Sequence, residues 1–307
     1  MSFRPMKPPS GVLEDKNLHL LRFPLIASPK LDGIRMTVQD AKLLSSTLNE
    51  IPNKHVSEFL SDPMFNDLDG EGCVGSVTDG NCFSRSTSLL MSDEEPITEP
   101  VVWYVFDKFV EDLSYRYRQG QACAQLICAD YVSFGLLSVR WLPQTWIHNL
   151  QEFLDFEKKC VDEGYEGAMY RNPDALYKQG RSTLSKQELI RRKPFEDAEA
   201  IVIGWEEGET NTNPKILNGL GLSKRSSSKA GKVKNGTLGN YLVKGLTAFK
   251  DVEFSITAFG TEEENAERWE NRENLLGKII KYKYQKYGSK DKPRIATGIG
   301  FRSELDL

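Results

Sequence analysis

At Lys193-Pro194-Phe195 the chain changes its pattern, and this break limits the folds open to it more than any other feature. Beyond it, Ala198–Trp205, Gly239–Lys244, Glu253–Phe259, Lys278–Tyr284 and Arg294–Phe301 are strand-like runs joined by glycine-containing connections. Five short strands in roughly 110 residues, with few helices between, predict a small Greek-key β-barrel of the OB type. Before the break, strands mix with helical patterns. Arg22–Ser28 is mostly apolar and stops at Pro29, Ile34–Val38 alternates, and Lys42–Ser46 ends ahead of a turn at Pro52-Asn53. Phe65–Gly70 runs into a turn at Asp69-Gly70, and Val101–Phe109 is the clearest central strand. Glu166–Tyr170 and Glu188–Lys193 complete the set. His55–Leu60, residues 112–130 and Trp146–Glu163 are helix candidates, the last with Gly164 as its C-cap. The expected fold class is α+β: residues 1–194 form antiparallel sheets with flanking helices, and residues 195–307 form the barrel. A length of 307 residues fits two domains.

The net charge of −4 excludes a chain that is basic throughout, but not a local basic face. Residues 211–250 hold eight Lys or Arg and no acid, and residues 278–294 add seven against Asp291. Between them, 261–273 is acid-rich. Lys224, Arg225, Lys229, Lys232, Lys234 and Lys244 in the acid-free run are therefore candidate phosphate contacts. The five cysteines (Cys73, Cys82, Cys123, Cys128, Cys160) are odd in number and form no CxxC pair, which argues against a four-cysteine zinc site and a disulfide framework. No apolar stretch reaches membrane-spanning length, and the N-terminus lacks a signal-peptide core, so a cytoplasmic protein is expected. His19, His55 and His148 are isolated and read as ordinary histidines.

The chemistry concentrates in Lys30-Leu31-Asp32-Gly33-Ile34-Arg35. A lysine amine attacks only when neutral, and neighbouring cations or a metal favour that form. Gly33 permits a close backbone approach, which brings Arg35 towards a bound nucleotide. Such a hexamer also occurs on ordinary surfaces, so its weight depends on the partners the rest of the chain supplies. Asp69-Gly70-Glu71 sets a carboxylate on a turn, and Tyr104-Val105-Phe106-Asp107 sets an aromatic face on a strand. Glu166-Gly167 supplies a second carboxylate, and Arg191 and Lys193 project to one face of a strand. A nucleophilic lysine, two carboxylates, two cations and an aromatic ring are what nucleotidyl transfer requires.

Taken in order, KxDGxR, DGE, YVFD, EGAM and a basic strand before Lys-Pro resemble the motifs of the covalent nucleotidyltransferases. That group comprises ATP-dependent DNA ligases, RNA ligases and mRNA capping enzymes. The length and the OB-like part look most like the small bacteriophage-type ATP-dependent DNA ligases. The resemblance implies that Lys30 forms a phosphoramide with AMP and that Arg35 contacts the AMP and a nick phosphate. It implies that Glu71 holds the ribose or assists a metal, that Phe106 stacks on adenine, and that Glu166 binds Mg2+ (or Mn2+). Lys193 would contact the α-phosphate, with Arg191 beside it, and the backbone at Ser28-Pro29 would read the adenine edge. ATP is the implied cofactor and nicked duplex DNA the implied partner, for a monomer in the cytoplasm, virus-encoded and host-borne as one variant.

Two positions depart from the family pattern. Arg191 stands where a lysine is usual, and a planar guanidinium is not equivalent to an ammonium. Ser46 stands where relatives carry an arginine that binds nucleic-acid phosphate, with Arg85 a candidate replacement. Lys244, Arg294 and Arg302 match family positions loosely. RNA ligation is the alternative activity. Capping lacks its usual partner domains, NAD+-dependent ligation lacks its zinc module, and a non-catalytic single-strand-binding protein would not need Lys30, Glu71, Glu166 and Lys193 together.

Overall fold

A computed structural model describes residues 3–11, 13–93, 95–128 and 133–302, without the side chain of Cys128. Positions 129 and 130 of the helix expected over 112–130 and the last five residues of the expected barrel domain lie outside the described residues. The chain divides into two compact units. One comprises Met1–Lys193 with Asn218–Leu222, and the other Pro194–Leu217 with Ser223–Leu307.

The first unit holds two sheets. The larger one is built from β2 (Ile34–Gln39), β3 (Lys42–Ser45), β4 (Leu68–Val74), β5 (Val101–Lys108), β6 (Ser133–Phe134) and β7 (Leu137–Trp141), in the order β3-β2-β4-β5-β7-β6. The smaller one has β1 (Leu25–Lys30), β8 (Thr145–Ile147), β9 (Gly167–Arg171) and β10 (Ile190–Arg192), in the order β10-β9-β1-β8. Both are antiparallel except where β5 meets β7. Helices α1 (Lys54–Leu60), α2 (Cys82–Leu90) and α3 (Tyr115–Cys128) flank the first sheet, and α4 (Leu150–Asp162) flanks the second. Met36, Val38, Val56, Phe65, Trp103 and Val105 form one core, while Leu25, Ala27, Phe153 and Tyr170 form another.

Several local expectations are corrected. Asp69-Gly70 is not a turn but the interior of β4, which begins at Leu68 because Pro63–Phe65 is a 3-10 turn. Gly70 is needed there for packing: a Cβ would lie 2.5 Å from Trp103 Nε1. The Trp146 end of the expected helix is instead β8, and α4 starts after Asn149, whose side chain accepts from the Glu152 amide. Gly164 lies one residue past the cap with φ +88. Pro29 does not end β1, which runs on through Lys30.

The second unit is a closed five-stranded barrel in the order β11-β14-β15-β17-β16. Its strands are β11 (Glu196–Asn211), β14 (Lys232–Gly245), β15 (Glu253–Thr257), β16 (Ile279–Gln285) and β17 (Arg294–Phe301). The core holds Val202, Tyr241, Val243, Ile256, Ile280 and Tyr282. A short hairpin, β12 (Lys215–Leu217) with β13 (Ser223–Arg225), sits between β11 and β14. The acid-rich stretch forms α5 (Glu262–Glu270), opened by a capping box of Thr261 and Glu264.

Candidate active site

Lys30 ends β1, directly opposite Gly167 at the start of β9, so strand pairing alone brings the lysine beside Glu166. Gly167 has φ +152, and a Cβ there would overlap the Arg192 carbonyl oxygen; no other residue lets β9 and β10 approach at this point. Glu166 is buried and bridges two ammoniums: its Oε2 meets Lys30 Nζ and its Oε1 meets Lys193 Nζ. Burial would raise the Glu166 carboxyl, but the Lys30 and Lys193 charges overrule it and hold it below its ordinary value. Arg192, which alternates with Arg191 and Lys193, turns instead to Glu157, at 2.7 Å, and to Asp15, at 2.9 Å.

Glu71 lies mid-strand on β4, opposite Arg35 of β2. Burial pushes its carboxyl up to about 7, against the pull of Lys30 and Arg35, and nearby Glu166 adds to the rise. Gly33 is what lets the Lys30 loop lie against β4, because a Cβ there would overlap the Gly72 carbonyl oxygen and stand 2.7 Å from Cys73 Sγ. Arg35 grips Asp69 through Nε, at 2.9 Å, and through Nη2, and its Nη1 donates to the Met6 carbonyl. Phe106 owes its direction to a bulge. Asp69 opposes Asp107 and Gly70 opposes Val105, so Phe106 is the extra residue on β5. Bulges re-aim a side chain in this way.

These groups converge on a cavity of about 210 Å3. Ser28, Pro29, Lys30, Arg35, Glu71, Phe106 and Arg191 line it, all of them expected from the sequence. Glu166 reaches it through Lys30, and Lys193 through Glu166. A larger cavity of about 550 Å3, around Phe59, Ile97 and Phe134, offers only His55 and Glu58 as charged or titratable groups.

Two contributions were missed from the sequence. Arg171, at the end of β9, lines the cavity with its guanidinium 5.0 Å from the Phe106 ring and 4.8 Å from the Tyr115 ring. Its Nη1 donates to Tyr115 Oη at 3.2 Å, while its buried Nε has no hydrogen-bond partner among the described residues. A single arginine closing an apolar strand was the available signal. The second contribution is the N-terminal segment, whose Pro8 forms part of the wall. It is held by Met6 N donating to Tyr177 Oη at 2.8 Å and by Lys7 N donating to Gly180 O at 2.7 Å. Nothing in its pattern marks this role.

Among the described residues, no three His, Cys, Asp or Glu side chains cluster to hold a metal ion. Glu71 and Glu166 do flank Lys30, and two hard-oxygen carboxylates fit Mg2+, which takes one or two carboxylates and completes its shell with phosphate oxygens and water.

The basic candidates lie in the second unit. Lys224 and Arg225 are on β13, Lys229 is on a 3-10 turn, and Lys232, Lys234 and Lys244 are on β14. The acid-free run of sequence is not acid-free in space: β11 brings Glu209 to Lys234, at 3.1 Å, and to Lys232, at 3.9 Å. Lys244 is ten residues beyond Lys234 on the same strand, past the irregular stretch between Lys234 and Leu238, and pairs with Asp251 at 2.9 Å. Arg85 pairs with Asp79 at 3.1 Å and with Glu99 at 3.3 Å, so its charge is already matched.

Comparison with known proteins agrees with this geometry. Residues 230–302 match the family described as DNA ligase OB-like domain. A DNA ligase of Natronomonas pharaonis is 29% identical over 238 residues, covering 67% of this chain and 39% of that protein. The chain spans well under half the length of the curated relatives it matches. The crystal structure of a Chlorella virus DNA ligase-adenylate is 28% identical, with a TM-score of 0.55 and coverage of 97% of this chain and 99% of that one. A Lig E DNA ligase shares the fold, with a TM-score of 0.63, at 22% identity over 91% of this chain and 92% of that one. Along residues 230–302 in sequence and over most of its length in fold, the chain is similar to DNA ligases.

Proposed function

We propose that the chain seals nicks between a 5′-phosphate and a 3′-hydroxyl in duplex DNA, using ATP and a lysyl-AMP intermediate on Lys30. The observation that carries this reading is Glu166 bridging Lys30 and Lys193 at the edge of a cavity walled by Phe106 and Arg35. Lys30 Nζ loses its proton and attacks the α-phosphorus. A P–N bond forms, the P–O bond to the β-phosphate breaks, and pyrophosphate leaves with the electron pair. The 5′-phosphate oxygen of the nick then takes the AMP and Lys30 is released. Finally the 3′-hydroxyl oxygen gives up its proton and attacks the phosphorus of the nick's own 5′-phosphate, the bond from that phosphorus to the AMP oxygen breaks, AMP leaves with the electron pair and the phosphodiester is complete.

Phe106 offers a face for the adenine, with the Ser28-Pro29 backbone at its edge. Arg35, Arg191 and Lys193 neutralise phosphate charge as it develops. Glu71 and Glu166 would hold Mg2+ or Mn2+, which supplies charge neutralisation of the triphosphate when bound. Lys224, Arg225 and Lys229, with smaller shares from Lys232, Lys234 and Lys244, contact the DNA backbone. Action as a monomer is part of the same proposal.

Incubation with Mg2+ and α-labelled ATP, GTP or NAD+ tests the reading. Label should join the protein from ATP alone and be lost in Lys30→Ala. The label should then pass to nicked DNA in preference to nicked RNA. Undiminished labelling in Lys30→Ala refutes the assignment, and transfer to RNA alone redirects it to RNA ligation.

A further inference from the structure

Four charges, three of them buried, connect the cavity wall to helix α3. Arg35 lines the cavity and holds Asp69 by two donors. Asp69 stands opposite Asp107 in the β4–β5 ladder. Asp107 is in turn held by Arg118, through Nε at 2.9 Å and Nη2 at 3.2 Å. Asp69 and Arg118 have no exposed surface, and Asp107 has almost none. Two carboxylates side by side in a dry interior repel, so each is stable only while a guanidinium caps its outer end. The remaining donor of Arg118 is also engaged, with Nη1 donating to Leu113 O at 2.7 Å and Ala175 O at 3.1 Å.

The same helix grips the neighbouring residue. Tyr115 Oη donates to the Phe106 carbonyl at 3.0 Å. Tyr115 and Arg118 are three residues apart on α3 and therefore share one face. That face holds both the carbonyl of the bulged residue and the carboxylate after it. It thus fixes the two cavity groups that no local turn positions: the Phe106 ring and, through Asp107 and Asp69, the Arg35 guanidinium.

We infer that Arg118 and Asp107 are positioning residues for nucleotidyl transfer, acting through Asp69 and Arg35 without touching substrate. The inference rests on the proposed nick-sealing reading. If Arg118 loses its two-donor grip, Asp107 is left partly uncompensated and draws on Arg35, which then leaves its place beside the nucleotide. A purely structural ion pair would lower stability and leave the chemistry of the folded enzyme alone.

A double-mutant cycle on the full chain separates these outcomes. Arg118→Lys keeps the charge but not the fork. Transfer of AMP from α-labelled ATP to Lys30, and on to nicked duplex DNA, is measured at saturating nucleotide alongside thermal unfolding. Arg118→Lys should slow transfer about tenfold, within the range of coupled residues. The double variant with Arg35→Lys should be no slower than Arg35→Lys alone, to within about twofold. Multiplying rate effects would show that Arg118 does not act through Arg35. A normal rate with a lowered unfolding temperature would show a structural pair only. Either result overturns the inference. If Arg118→Lys does not fold, Asp107→Glu takes its place in the same cycle, with the same outcomes deciding. A wild-type chain that takes no label sinks the nick-sealing reading and the inference with it. A labelled wild type with multiplying effects sinks the inference alone.

Discussion

Replacing Glu166 by glutamine removes the carboxylate on which the candidate site is assembled and keeps its shape. In the native chain that carboxylate is 2% exposed, and it faces Lys30 and Lys193 side chains that are 20% and 14% exposed. Breaking a buried ion pair by removing one partner costs about 3–5 kcal/mol, because the surviving charge is left uncompensated. Two cations survive here, which pushes the cost up. Lys30 also borders a cavity into which it can turn and hydrate, and Lys193 keeps some exposed surface, which pulls it down. A loss of about 2–4 kcal/mol at pH 7 is expected. At about 2–4 °C per kcal/mol for a unit of this size, unfolding should shift down by roughly 5–15 °C. The sign of the pH dependence follows from the direction of the Glu166 shift. Its folded-state value is depressed, so its contribution is fully present above the ordinary carboxylate value of 4.5 and disappears as the pH falls through the lower folded value. Wild type and Glu166→Gln should therefore differ most at neutral pH and converge in acid. Calorimetric scans of both from pH 7 to pH 3 read this directly. Equal unfolding temperatures at pH 7, or a gap that widens on acidification, would refute the assignment of Glu166 as the anion that holds the two lysines.

Glu71 should behave in the opposite sense. Its carboxyl lies near 7, so the folded state keeps the proton that the unfolded chain releases near 4.5, and stability declines as pH rises between the two. Glu71→Gln should match wild type at pH 4 and exceed it by about 1–3 kcal/mol at pH 8 in urea unfolding, while slowing adenylation. Phe106→Ala removes the base-stacking face, and a loss of about 1–3 kcal/mol raises the ATP KM for adenylation by roughly 5- to 150-fold with Lys30 labelling still detectable. Neutralising Lys224, Arg225 and Lys229 should reduce the salt slope of DNA binding by about 3, whereas neutralising Lys232 and Lys234, already matched by Glu209, should change it by about 1 or less; binding titrations from 50 to 200 mM salt distinguish the pairs.

Strand-forming runs are legible where side-chain chemistry and environment agree. Val101–Lys108 is β-branched or aromatic at every buried position but Asp107, and the sequence pattern marks it to within a residue of its ends; Arg294–Phe301 is marked as closely by its spacing, although it buries Ala296 and Gly298 and exposes Ile295 and Ile299. Helix α2 is not legible, because CFSRSTSLL is rich in serine and threonine, which favour turns over helix interiors. Packing of Leu89, Leu90 and Ser86 against β4 overrides that preference; the Ser86 hydroxyl accepts from the Val74 amide at 3.0 Å. Helix α5 carries a readable Thr-x-x-Glu start at Thr261, hidden in a stretch whose charge suggests only solvent. Asp69-Gly70 misleads because a dipeptide common in turns is here required by the Trp103 indole. The candidate site is legible in its charged members, since Lys30, Glu71, Glu166 and Lys193 each stand beside a glycine or at a strand end. Its walls are not. Arg171 and Pro8 reach the cavity through contacts set by tertiary packing, which no local spacing encodes.

The N-terminal wall has one more consequence, for the order in which the cavity can come into being. Met6 and Tyr177 are 171 residues apart, and the Met6–Pro8 segment has no hydrogen-bonded sheet of its own to wait in. During vectorial synthesis, at roughly 5–20 residues per second, it emerges well before the 177–182 stretch it rests on exists. Made ahead of the stretch that supports it, it settles only once that stretch has followed, and a nucleotide-sized cavity with all its sides exists only after the first unit has been translated through β10.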